Sequence, residues 1–446
     1  MLNNAQRMFS GFSWSSLWKL VDLRQRLTFT FLMIVVYRFG TRLLIPGVDF
    51  SIMDAQIVTG SSYLNILNTL AGGALTNAAV MALGILPFIT AGLMINLLTI
   101  IDDSWTALRK EGEAGRAIID QYTRQTACAI SVAQSMLVVH FLEIHNVVLM
   151  PGFLFRVNTI LTIVSGSMFL IWMADQISKM GIGRGSSVIL CIGILSDVPQ
   201  AVINIIDNLR IGNIAIANFL SFAVFFLAVL AFIVFFESAQ RRILIVCPKM
   251  MPRMGMIQNA ESLYLPMKAN IVDISPVIFA SFVTGLIARF FILVNWAIEY
   301  LGYLDYVPGI EWVPPGSYTM CELVLIMTCA IIWGPYTWSP EENAERLNKE
   351  AKFIPGVRPG HSTVEYLWNM VLKMSIISGV YLCVLNTLPG MMCDLLFAPL
   401  AFRGLSMLIV VNVIIETINQ IGTYIMTMHY QRLEDMQKKM MKRKRP

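Results

Sequence analysis

The residues of this chain that could do chemistry fall into a few small groups, and their types restrict what that chemistry could be. Gly181-Ile182-Gly183-Arg184-Gly185 has the glycine density of a phosphate-cradling loop. No strand precedes it and it lacks the P-loop lysine, so it reads first as a tight turn between helices. His140, Glu143 and His145 lie close in sequence. A helix would put His140 and Glu143 on one face and turn His145 away, which favours an interfacial polar cluster over a metal site. Among the ionisable groups in or beside apolar stretches, Asp175, Glu237 and Asp273 lie at the ends and Arg38 and Glu416 are the deepest. Buried pairing or water contact explains Arg38 and Glu416 more simply than a proton relay does. The seven cysteines form no C-x-x-C pair and read as reduced packing residues. No catalytic residue, metal site or cofactor is therefore expected. What remains is steric: Ile85 and Ile89 stand four residues apart, on one face of a helix weakened by Gly84 and Pro87. Taken alone, such a pair is packing or lipid contact more often than the lining of a pore.

The elements that would position these residues are long and apolar. With 56% hydrophobic and 14% charged residues, the chain has too little polar material to clothe a soluble globule of 446 residues. Ten apolar stretches, at 25–44, 76–101, 121–141, 153–176, 186–206, 214–237, 273–298, 317–338, 370–388 and 400–425, are each near or above the roughly 20 residues that cross a hydrocarbon core. All but six of the 33 Lys and Arg residues fall on alternate connections, or within a few residues of them at stretch ends, if the N-terminus is inside; the exceptions are Arg38, Arg42, Arg156, Arg210, Arg289 and Arg403. The positive-inside rule then puts both termini in the cytoplasm. Residues 1–24 carry Trp14, Trp18 and Lys19 on an amphipathic stretch without a signal-peptide cleavage site, and are expected to stay attached at the inner surface. The tail over 431–446 is basic from Lys438 to Arg445, which suits an inner surface rich in anionic lipid and, as an alternative, ribosomal RNA. The Met count of 28 suits irregular packing between helices.

A division near residue 210 leaves five spans on each side, 25–210 and 211–430. Five is odd, so related halves would enter the membrane in opposite senses, as an inverted repeat. Three connections are too long for turns: 45–75 outside, and 238–272 and 339–369 inside. In the outer one, Ser61 to Leu70 is too short to span and reads as a re-entrant or interfacial helix jointed at Gly72-Gly73. The second inner one opens on Ser339-Pro340-Glu341-Glu342, a helix start, and ends in Phe353-Ile354-Pro355-Gly356-Val357-Arg358-Pro359-Gly360, a tight exposed turn with one arginine at its tip.

Several motifs occur in register along the chain: Leu70-Ala71-Gly72-Gly73-Ala74-Leu75 with Ala82-Leu83-Gly84-Ile85-Leu86-Pro87, Gly112-Glu113-Ala114-Gly115-Arg116 with Gln121-Tyr122-Thr123-Arg124, Gly181 to Gly185, and Phe353 to Gly360. Together they closely resemble the bacterial SecY family, the channel subunit of the Sec protein translocon. The resemblance implies an all-α membrane protein of ten transmembrane helices in two inverted five-helix halves around a central pore. It also implies a plug at residues 61–74, including Ser61, Leu64, Leu67, Leu70, Gly72 and Gly73. The pore ring would comprise Ile85, Ile89, Ser186, Leu190, Ile278 and Ile409, with Ser186 standing where the family usually has an apolar residue. Arg358, Pro359, Gly360 and Arg253 would serve docking of the motor ATPase SecA and of the ribosome. The loop around Arg253 is less basic than in the family, and Arg184 replaces a smaller polar residue. SecE and SecG are the implied membrane partners and unfolded preproteins the cargo, at the bacterial inner membrane. An apolar ring would dewet and block ions without holding a passing backbone, and a sideways opening would let apolar segments partition into lipid. The alternatives are an inverted-repeat secondary transporter for a small solute, which needs a polar cluster at mid-membrane, and an intramembrane enzyme.

Overall fold

The computed structural model describes residues 21–48, 68, 71–144, 147–212, 215–246, 263–285, 287, 315–395 and 404–443. Helices dominate: α1 Val21–Gly40, α2 Leu86–Ile101, α3 Asp103–Lys110, α4 Glu113–Ile144, α5 Phe153–Met180, α6 Gly185–Ile211, α7 Ile216–Ser238, α8 Ser275–Gly285, α9 Pro315–Thr337, α10 Pro340–Lys349, α11 His361–Leu395 and α12 Gly404–Arg443. A helix occupies all or part of every expected span. Among the described residues, seven are long and apolar enough to cross a membrane, while α2 and α8 are shorter apolar helices. Helix α1 carries Asp22, Arg24, Arg26 and Arg38, which dilute its apolar character. The most apolar, α7, exposes Leu220, Val224 and Leu227, each more than half accessible, as expected of a helix facing lipid.

The second span departs from expectation. Residues 71–85 run as successive turns, and α2 begins only at Leu86. Gly84 takes φ +58, a left-handed value that ends any helix entering from the N-terminal side. Pro87 then sits in the first turn of α2, where its missing N–H costs nothing, so it starts this helix instead of kinking it.

The chain forms two compact units. The first draws on Met1–Ala91, Thr123–Ile203 and Ile409–Pro446. In it Ala91, Ala127 and Ile171 pack with Phe88, Ile130 and Met168. Glycine permits close approaches here: a Cβ on Gly166 would lie 2.4 Å from the Val80 carbonyl oxygen, so α5 admits the 71–85 segment only because that position is bare.

The second unit draws on Gly92–Tyr122 and Asn204–Leu408. Its α9 and α11 pack closely enough that a Cβ on Gly334 would fall 1.7 Å from Ser375 Oγ. The Tyr336 hydroxyl donates to Asn96 Oδ1 at 3.0 Å and accepts from Thr99 Oγ1 at 2.9 Å, and the Arg109 guanidinium lies 4.6 Å from the Tyr336 ring centre. Asp102 caps α3, and its bonds from the Ser104 amide and hydroxyl hold its carboxyl below the usual range.

An antiparallel hairpin, β1 Gln240–Ile245 and β2 Leu263–Lys268, emerges from the first long inner connection, paired from Gln240 with Lys268 to Ile245 with Leu263. The all-α expectation omitted these strands. Their signal is the alternation of buried Ile243 and Ile245 with exposed Leu244. The expected helix start at Ser339 is real: its hydroxyl accepts from the Glu342 amide at 3.3 Å and Pro340 opens α10.

Candidate functional site

One isoleucine immediately precedes α2 and another lies in its first turn. The amides of Phe88 and Ile89 both donate to the Ile85 carbonyl, at 3.1 and 3.3 Å, so Ile85 begins the first turn and Ile89 lies one turn on, on the same face. Ile85 is 1% exposed and Ile89 half-buried. That burial removes lipid contact as an explanation for Ile85, in contrast with the exposed face of α7.

The turn before Ile85 is held by what it touches. With Gly84 left-handed, a Cβ there would meet Ala71 Cα at 3.1 Å. Ala71, Ala74 and Ala79 form a small buried cluster, and the Tyr37 hydroxyl of α1 donates to the Ala71 carbonyl at 3.2 Å. Gly72 and Gly73 are both left-handed, at φ +68 and +75. A Cβ on Gly72 would stand 2.8 Å from Gly193 Cα of α6, and Ser196 Oγ donates to the Gly72 carbonyl at 3.3 Å. Asn68 closes the segment: its Oδ1 accepts from the Thr76 amide at 3.0 Å and hydroxyl at 3.2 Å, and its carbonyl accepts from the Gly73 amide at 2.9 Å. Residues 71–84 are thus a stalk docked on α1 and α6. Of the expected plug, Ser61, Leu64, Leu67 and Leu70 lie outside the described residues.

The glycine turn at 181–185 bonds its backbone to three helices, as an inter-helix turn should. The Ile182 amide donates to Thr30 Oγ1 of α1 at 3.0 Å, the Gly183 amide to Gln420 Oε1 of α12 at 2.5 Å, and the Gly185 amide to Ser178 Oγ of α5 at 2.8 Å. No side chain fits at Gly185, where a Cβ would fall 1.8 Å from the Ala174 carbonyl oxygen. This turn aims the start of α6, whose first two turns carry Ser186, half-buried, and Leu190, buried. Ile409, 1% exposed, lies on α12. In the second unit, Ile278 is buried on α8.

Several of the ionisable candidates are engaged locally, whereas Arg38 Nη1 is buried without a hydrogen-bond partner among the described residues. Arg124 pairs with Asp175 at 2.7 Å, and Arg156 with Glu143 at 2.7 Å. Arg184 approaches Glu416 of α12 at 3.8 Å. The Asn270 amide donates to buried Glu237 Oε1 at 2.8 Å. His145 and Arg253 lie outside the described residues.

Arg358, Pro359 and Gly360 are exposed. Gly356 and Gly360 are left-handed, at φ +85 and +106, with open space where a Cβ would go. The Arg358 carbonyl accepts from Thr363 Oγ1 at 2.9 Å, which ties the tip to the first turn of α11. Sequence reasoning did not single out Tyr37, Gly193 or Ser196. A glycine three residues before a serine on an apolar helix is their only sequence signal, and it is a common one.

The SecY family model matches residues 79–418. The chain is 34% identical over 418 residues to the protein translocase subunit SecY of Rickettsia felis, covering 92% of this chain and 96% of that relative. It is 32% identical to the same subunit of Escherichia coli K12, covering 92% and 93%. Among solved structures, one described as the structure of a protein conducting channel superposes with a TM-score of 0.61 at 18% identity, covering 89% of this chain and 91% of that one. Sec61 in the canine ribosome-channel complex from the endoplasmic reticulum gives a TM-score of 0.59 at 18% identity, with the same coverage. The chain belongs to the SecY family.

Proposed function

We propose that this chain is the protein-conducting channel of a bacterial inner-membrane translocon, passing unfolded polypeptides across the membrane and releasing apolar segments sideways into lipid. The observation that carries this reading is kinship over 92% of the chain with translocase subunits, in a fold shared with a protein conducting channel. The seven apolar helices and the exposed apolar face of α7 support a multi-pass membrane protein. Ten spans in two inverted halves, with both termini cytoplasmic, is the layout we infer from span spacing and from basic residues on alternate connections.

Ile85, Ile89, Ser186, Leu190, Ile278 and Ile409 form the constriction in this reading. A ring of branched aliphatics excludes water at rest, and with it ions, yet gives a sliding backbone no polar partner to stall on. Residues 61–74 are its plug; the left-handed pair Gly72-Gly73 and the anchors from Tyr37 and Ser196 support a hinge at its C-terminal end. Selection between transit and membrane release then becomes a sum of insertion energies over about twenty residues, roughly −0.5 kcal/mol for Leu or Ile against +3 for Asp or Lys. A solute transporter is disfavoured, since it needs polar groups gathered at mid-membrane, whereas Asp175, Glu237 and Glu416 each have a local partner.

SecE and SecG are the proposed membrane partners, anionic lipid the partner of the basic tail, and SecA and the ribosome the cytosolic partners docking at Arg358. The test is transport of a preprotein into vesicles containing this chain, SecE and SecG, read as protease protection after SecA and ATP are added. Arg358→Glu should lower that rate by about tenfold or more, the factor for about 1.4 kcal/mol of lost coupling. Resting conductance and the amount of folded chain should not change. Undiminished transport by Arg358→Glu would refute docking at this turn.

A further inference from the structure

The base of the stalk is flanked by charge that packing alone does not require. Asp197 lies on α6, within a stretch apolar enough to cross a membrane, where a carboxylate is costly and persists only when it is paired or serves a function. Its Oδ1 faces the left-handed Gly73, where a Cβ would stand 3.2 Å from it. The neighbouring Ser196 hydroxyl gives this carboxylate little. One proton serves three acceptors, the Gly193 carbonyl at 2.6 Å, the Gly72 carbonyl at 3.3 Å and Asp197 Oδ1 at 3.4 Å, and the shortest of these bonds stays within α6.

The opposite charge comes from α1. Arg38 follows Tyr37, whose hydroxyl donates to the Ala71 carbonyl at 3.2 Å, and Arg38 Nη1 is the buried nitrogen left without a hydrogen-bond partner among the described residues. The Arg38 charge acts on both Asp197 and the Tyr37 hydroxyl, and the Asp197 charge acts on that hydroxyl too, so the three groups lie together around Ala71, Gly72 and Gly73. All of them belong to the first unit. In so weakly polar a setting opposite charges attract over several ångströms, and each offsets the cost of burying the other. Either one alone would be stranded.

We propose that Asp197 and Arg38 form a charge clamp at the base of the stalk, two positioning residues that hold Ala71 to Gly73 against α6 and α1 in the idle channel and set how readily the stalk lifts. The clamp works through charge and not through a shared hydrogen bond, so it does not depend on the shape of the guanidinium. Its effect on ion leakage rests on the reading of residues 61–74 as the plug. The hold on the stalk does not.

The test uses the full chain with SecE and SecG in vesicles, its seven cysteines replaced by serine and the fully buried Ala74 made the reporter by Ala74→Cys. A water-soluble maleimide on both sides of the membrane reads how often the stalk lifts, because a buried thiol reacts only from the opened form. Asp197→Asn, which keeps the side-chain shape, strands the Arg38 charge and should raise the labelling rate by at least about tenfold. Arg38→Gln should do the same, and Arg38→Lys, which keeps the charge, should stay within about twofold of the parent. Both changes break one interaction, so the double variant Arg38→Gln with Asp197→Asn should label no faster than the faster single, whereas independent roles would multiply to about a hundredfold. Parent-like labelling of Asp197→Asn, or a multiplied rate in the double variant, overturns the clamp. Should Asp197→Asn fail to accumulate in the membrane, equal rates for Arg38→Lys and Arg38→Gln overturn it instead. Resting conductance is recorded in parallel: faster labelling in a channel that stays sealed leaves the clamp standing and removes residues 61–74 as the plug.

Discussion

Replacing Ile89 with lysine should raise the resting ion conductance of the reconstituted channel, and charged replacements of Ile85, Ile278 and Ile409 should do the same. Each isoleucine contributes roughly 1.5–3 kcal/mol against wetting of the surface it covers. A charge reverses that preference by holding water, so conductance should rise by at least about tenfold, the factor for about 1.4 kcal/mol. Ile89 is the informative position. It is half-buried, so a long lysine side chain can extend there, whereas fully buried Ile85 and Ile409 leave no room and their charged variants are also expected to fold less stably. Single-channel recording in planar bilayers reads the effect. A sealed Ile89→Lys channel, with sealed channels across the set, would remove these residues from the constriction.

Gly72→Ala should open a leak of a different origin. At φ +68 an L-residue costs roughly 1–2 kcal/mol, and here its Cβ would also lie 2.8 Å from Gly193 Cα, a backbone atom that cannot swing aside. Overpacking of that kind adds about 1–3 kcal/mol. The stalk must lift from α6, losing the bond from Ser196, and the plug proposed at 61–74 would then lose its seat. Gly112→Ala supplies the comparison: the same left-handed strain at φ +80, but nothing within 4 Å of the new methyl. Gly72→Ala should lower the thermal midpoint further than Gly112→Ala and should conduct at rest, while Gly112→Ala stays closed. Equal midpoints and equally tight channels would mean that the stalk does not anchor the closed state.

The seven helices long and apolar enough to cross a membrane were legible because membrane crossing is a matter of length and apolar sum, which a sequence states directly. Where α2 starts was not legible. Residues 71–85 are as apolar as a helix, and only the contacts of Gly84 with Ala71 and of Gly72 with Gly193 make them a stalk. The hairpin was missed because strands of six residues in a long polar connection leave only a short alternation behind. The ring positions came from family motifs, since periodicity cannot tell a residue facing a pore from one facing a helix. Arg184, unexplained by any motif, finds its counterpart in Glu416 on the neighbouring helix of the same unit, a contact 232 residues away in sequence that no local pattern announces. Ser196 and Tyr37 belong with it: their importance lies in which carbonyl they reach.

The central claim is that a translocating polypeptide passes the six proposed ring positions on its way through the membrane. A photo-reactive residue placed in turn at 89, 190, 278 and 409, in vesicles holding a preprotein arrested halfway by a folded C-terminal domain, tests it most directly. The account predicts cross-links to the arrested chain from each of these positions and none from Val224 or Leu227 on the exposed face of α7. An arrested, protease-protected chain that cross-links from none of the four would contradict it.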